Sequence, residues 1–169
     1  MPTNFYMFFI AGIIPMIVGA AYYSPMLAGN SWMKVNGFNE KDLEGGNMLA
    51  IFGGAYFLSV IVSFALSGIV IHQTSTYQLG IPEVFEAGSQ AQIQMVQFMK
   101  TFGNSHRNFG HGAAHGALIT IFFILPILGI ISLFERRGWK YVFIHFGYWL
   151  ITLTLVGGLL CATLEYPPV

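Results

Sequence analysis

His111 and His115 stand one helical turn apart in the stretch Gly110-His111-Gly112-Ala113-Ala114-His115-Gly116, at the threshold of a long apolar run. Side chains at i and i+4 share a helix face, about 6 Å apart along the axis, so both imidazoles can address one ligand. His72 closes another apolar run, His106 lies in the loop before the pair, and Glu165 follows the last apolar run. Gathered at one membrane face, these imidazoles suit zinc, copper or haem iron, and the carboxylate can complete a site. A second reading needs no ligand. Histidines are at home at a wet interface, with His115 bonding a neighbouring helix and Gly112 and Gly116 forming a small-xxx-small pair for close helix packing. The spacing alone leaves both readings open.

His145 lies in the last apolar run with Tyr148 nearby, and Tyr22 and Tyr23 end the first. Together they compose a polar aromatic pocket for a quinone or a lipid headgroup, or else an aromatic belt with no ligand. No nucleophile with a base partner, phosphate-binding glycine loop or paired carboxylate stands out, so nothing supports an enzyme. The single cysteine, Cys161, sits inside an apolar run and reads as a small buried hydrophobe.

The elements that must position these groups follow from composition. Of 169 residues, 55% are hydrophobic and 8% charged, against about 25% charged in a soluble domain. Such a chain belongs in lipid. Seven basic and seven acidic residues give a net charge of zero, and no basic patch offers itself to nucleic acid. The expected architecture is all-α in one domain over residues 1–169: four transmembrane helices in an antiparallel bundle, over 5–27, 48–71, 113–134 and 141–164. Pro15 predicts a kink in the first span. Gly53 and Gly54, with Ser63 and Ser67, supply small packing residues in the second. Asn39 and Asp42 predict a capped turn in the first loop. In the second loop, Val84, Ala87, Ala91, Met95, Phe98 and Phe102 recur at helical spacing, predicting an amphipathic extramembrane helix over 82–102. That helix lacks a lysine-rich face, which favours contact with protein over anionic lipid.

Met1-Pro2-Thr3-Asn4 carries no Lys or Arg, so the first apolar run is expected to remain as an anchor. No lipidation motif is expected to add to it. Lys34, Lys41, Arg136, Arg137 and Lys140 fall in the first and third loops, Lys100 and Arg107 in the second. The positive-inside rule then places both termini, the long loop and the His111–His115 pair on the non-cytoplasmic side.

Three further pieces occur in order: Gly19-Ala20-Ala21-Tyr22-Tyr23-Ser24-Pro25 with Trp32-Met33; His115-Gly116; and Leu133-Phe134-Glu135-Arg136-Arg137 with Gly147-Tyr148-Trp149. In these pieces the chain resembles, over nearly its whole length, a family of small four-helix membrane proteins, the domain of unknown function 1761. The resemblance implies four spans in a bacterial inner membrane and implies no reaction. The chain departs from the common pattern at His111 and in its long second loop. The sequence therefore predicts an accessory or structural subunit that docks onto other membrane protein subunits in the lipid bilayer, with no cofactor. The alternative is a metal, haem or quinone protein using His72, His111 and His115 at the non-cytoplasmic face. A small-molecule transporter has least support, because none of the four predicted spans contains Asp, Glu, Lys or Arg.

Overall fold

The computed structural model describes residues 2–166, and every regular element among them is helical. Helices α1 (Met7–Ala11) and α2 (Ile13–Tyr22) form one apolar rod jointed at Gly12. The joint answers to Pro15, which has no N–H for the Ala11 carbonyl one turn earlier. A side chain at Gly12 would run into Val60, so the joint is also where the rod touches the next long helix. After α3 (Gly29–Asn36) comes a single turn, Glu40–Leu43, closed by a reciprocal cap: Lys41 N–H donates to Asn39 Oδ1 (3.0 Å) and Asn39 N–H to Asp42 Oδ2 (2.8 Å).

Helix α4 (Met48–Val70) starts on an Asn47 cap and breaks at Ile71, whose extended backbone turns the chain into α5 (His72–Leu79). A turn at Glu83–Phe85 and α6 (Gln90–Phe102) follow. The amphipathic helix predicted over 82–102 is thus shorter. Gly88 takes a φ of +78°, which terminates regular structure, and the Ser89 side chain caps the new start by accepting from Gln92 N–H at 3.0 Å. Helix α7 (Phe109–Ile119) runs through a π segment, Thr120–Ile124, into α8 (Leu125–Phe134). The wide turn lies just before Pro126, where the missing N–H and the ring's clash with the preceding turn favour it. This helix opens earlier than the predicted residue 113, because Asn108 caps it by accepting from His111 N–H at 2.9 Å. Helix α9 (Trp139–Thr163) is the last regular element among the described residues.

Three helices are long and apolar enough to cross a membrane: Met48–Val70, Phe109–Phe134 and Trp139–Thr163, with mean hydropathies of 2.2, 2.7 and 1.7. The rod Met7–Tyr22 is shorter, about 24 Å at 1.5 Å per residue. Helix α9 is the centre. It is packed by the others over 39% of its most apolar stretch, whereas the other two long helices reach 17% each. Leu66 and Val70 of α4 meet Leu153, Val156 and Leu160 of α9 in the buried core.

The closest approach is between α7 and α9. A methyl group at Gly112 would overlap the Gly157 carbonyl, and one at Gly116 the Leu153 carbonyl. Gly53 and Gly54, expected to pack, instead face open space where an added carbon would meet nothing within 4 Å among the described residues. They lie on a lipid-type face of α4 that also carries exposed Phe57 and Leu58.

Candidate metal centre

Three segment ends meet at the site. The break at Ile71 makes His72 the first residue of α5. The Asn108 cap starts α7 two residues before His111, which puts His111 and His115 on the same face of its first turns. The glycine contacts hold α7 against α9 and so fix where that face points. His72 Nε2 lies 3.1 Å from His111 Nε2 and 3.2 Å from His115 Nε2. The potential ligand atoms of all three lie within 4.8 Å of one another. The His72 ring stands at 78° to each of the other two, so the rings fan around a point rather than stack.

This contact is unsatisfactory for three neutral imidazoles. In its ring plane each Nε2 carries either one proton or one lone pair. His72 Nε2 faces two others, so one atom's single donor or acceptor function is divided between two partners. A cation in the middle would accept all three lone pairs.

The other candidates divide. His106 lies beside the trio, its ring stacked on His111 at 5.1 Å and 27°, outside the converging set. Its φ of +60° is in the left-handed region, a cost of about 1–3 kcal/mol for a residue with a side chain. Gln73, 8% exposed, donates from Nε2 to the carbonyls of Phe102 and Ser105, both at 3.0 Å, which ties α5 to the loop carrying His106. Cys161 Sγ, buried as expected, donates to the carbonyls of Val70 and His106, each at 3.4 Å. Glu165 is not in the cluster. Its backbone pairs with the start of the chain, accepting from Thr3 N–H at 2.7 Å and donating to Asn4 Oδ1 at 2.9 Å. Beside the trio, α5, α6 and the loop between α6 and α7 bound a cavity of about 400 Å³ walled by His72, Thr76, Phe98, Phe102 and His106. The sequence reading missed Gln73 and the two phenylalanines. Only the four-residue spacing of Phe98 and Phe102 on one helix face pointed to them.

The remaining motif residues assemble at the other end of α9. Tyr23 hydroxyl and His145 Nδ1 are 3.0 Å apart. Tyr148 donates to the Pro15 carbonyl at 3.2 Å, and Tyr23 packs on Trp32 and Tyr148. The Tyr22 hydroxyl occupies the space a side chain at Gly147 would need. Ser24 and Pro25 turn the chain into α3 through carbonyls that accept from Gly29 N–H and Asn30 Nδ2. In the last hairpin Arg136 takes a left-handed φ of +55°. Arg137 pairs with Glu135 at 2.8 Å and donates to Asn36 at 2.8 Å. These residues fasten α2 and α3 to α9. Tyr22, Tyr23, Tyr148 and His145, read from the sequence as a quinone or headgroup pocket, contact one another through their rings, and His145 Nε2 is buried with no hydrogen-bond partner among the described residues.

Comparison with known proteins adds one match. The description "Protein of unknown function (DUF1761)" fits residues 6–161. No curated protein and no solved structure matches the chain. The chain belongs to the DUF1761 family.

Proposed function

We propose that this member of the family is a transition-metal-binding membrane protein that holds one ion on Nε2 of His72, His111 and His115. The convergence of those nitrogens at 3.1 and 3.2 Å carries the reading. Zinc binds imidazole at about 2.0–2.1 Å with tetrahedral angles, which separates ligand nitrogens by about 3.3–3.4 Å. Two of the three nitrogen pairs lie near this spacing and all three donors lie within 4.8 Å of one another, so rotation of the rings would seat the ion. All-imidazole donors suit zinc, copper, nickel or cobalt better than the oxygen-seeking magnesium or calcium. The spacing favours a bare ion over haem, since a porphyrin needs a slot between rings and these meet edge to edge.

The membrane setting belongs to the proposal. Four segments cross in an antiparallel bundle, the rod Met7–Tyr22 included, in a bacterial inner membrane. The positive-inside count puts the metal site and both termini outside the cytoplasm. The fourth crossing is supported by pairing along α9: Asn4 Nδ2 donates to Thr163 O (2.7 Å) at one end, and Tyr23 meets His145 at the other. A transporter is disfavoured by the charge-free interior of the spans.

The test is metal analysis of protein purified on a tag without histidine. One zinc, copper, nickel or cobalt ion per chain, lost in the His111→Ala, His115→Ala double variant, is expected. Metal-free protein that takes up none of these ions on dialysis would refute the reading. A second reading, an accessory subunit docked on other membrane proteins, draws on the segment between the long helices, where Leu79 and Phe85 are 89% and 68% exposed. It predicts co-purification with a larger complex from mild detergent, and a partner-free protein at native expression would count against it.

A further inference from the structure

The trio supplies three ligands, and a tetrahedral ion asks for four. Among the described residues no fourth His, Cys, Asp or Glu joins the converging set. His106 stacks on His111 outside the converging set. Cys161 Sγ is directed to the Val70 and His106 carbonyls. Three protein ligands with a vacant position are the pattern of sites that exchange a ligand, whereas closed four-ligand sites are structural. The cavity of about 400 Å³ is walled in part by His72, the ring whose Nε2 faces both other imidazoles. Its size falls within the roughly 300–1,000 Å³ of small-molecule pockets.

The walls indicate what enters. Phe98 and Phe102 of α6 pack at 5.0 Å and form the apolar side, while Gln73, Thr76 and Ser105 are the polar, uncharged side. Among the described residues no Asp, Glu, Lys or Arg lines this cavity. Apart from the His106 imidazole no titratable group beyond the trio faces a ligand there, so these walls suit an occupant with one donor group for the ion and an otherwise apolar body.

We propose that the cavity bounded by α5 and α6 delivers a small ligand, apolar except for one oxygen or nitrogen donor such as a carboxylate, to an exchangeable fourth position on the ion held by His72, His111 and His115. This rests on the metal reading above. The ligand's apolar body lies on Phe98 and Phe102, and its donor replaces water on the ion. The same chemistry is offered by a short water-soluble acid and by the head of a membrane-derived fatty acid, and chain length separates them.

The test loads the full chain in detergent with Co(II), whose visible absorption reports coordination, and titrates azide, acetohydroxamate and octanohydroxamate. One Co(II) per chain is expected, with saturable spectral shifts for all three probes. Octanohydroxamate binding at least tenfold tighter than acetohydroxamate identifies a lipid-like occupant, and equal affinities identify a short soluble one. Phe102→Trp, which fills the cavity, should weaken the hydroxamates at least tenfold while Co(II) stoichiometry stays unchanged. Phe98→Ala, which enlarges it, is the companion should the tryptophan variant fail to retain Co(II), and should reduce any chain-length preference. Stoichiometric Co(II) whose spectrum ignores every probe, or probe affinities unchanged in both variants, overturns the open position and leaves the metal reading standing. No Co(II) uptake overturns both.

Discussion

His72 is the residue on which the site turns, because its Nε2 faces both other imidazoles. Replacing a residue that merely orients a ligand costs about 10–100-fold in metal affinity, so His72→Ala, His111→Ala or His115→Ala should each cost at least that in a competition titration. His145→Ala, at the opposite end of α9, should leave metal affinity unchanged. Proton competition gives the sign of the pH effect, because only the neutral ring ligates: affinity should fall as pH is lowered, and a profile that stays flat well into acid would speak against histidine ligation. The pair His111 and His115 was visible as a helical spacing in the sequence. His72 was a candidate from its place at the end of an apolar run, but its convergence on the pair and the exclusion of Glu165 depend on a backbone break at Ile71 and on the strap from Asn4 to Glu165.

At the scale of elements, the site depends on how closely α7 lies on α9. Gly116→Ala puts a methyl group into the Leu153 backbone, and overpacking of this kind costs about 1–3 kcal/mol. A melting temperature lowered by several degrees in detergent is expected, together with weaker metal binding as α7 is displaced. Gly53→Ala faces open space and should not destabilise, alanine favouring a helix interior by about 0.5–1 kcal/mol over glycine. The two glycine pairs look alike as sequence, since a small residue on an apolar helix does not record which face meets another helix and which meets lipid. The C-terminal end of α9 has its own fastening: Arg107 donates to the carbonyls of Cys161 (2.9 Å) and Leu164 and lies over the Tyr166 ring at 5.7 Å. Hydrogen bonds from a charged donor contribute about 1.5–3 kcal/mol, so Arg107→Ala should destabilise by that order in a thermal melt, whereas Arg107→Lys should recover part of it.

At the scale of the whole molecule, the proposed topology, in which α4 crosses the membrane, puts the loop around Asn39 and the segment around Glu86 on opposite sides. Single cysteines at these positions, in a Cys161→Ala background, should react with an impermeant thiol reagent from opposite sides of oriented vesicles. Labelling from the same side would mean that α4 does not cross. The apolar runs, sparse charge and interface aromatics determined by themselves that this is an all-helical membrane protein, because burying that many apolar residues without backbone partners leaves helices in lipid as the available solution. The ordered motifs determined the family. Tertiary structure alone decided that the family-like aromatic residues are a clasp between α2, α3 and α9, that Gly112 and Gly116 rather than Gly53 and Gly54 are the packing glycines, and that His72 joins His111 and His115. Each of these depends on contacts between residues tens of positions apart in the chain, whose meeting is set by helix rotation and by breaks of one or two residues. A hydropathy pattern averages over a turn or more, so it specifies where helices run and leaves open which side chains they bring together.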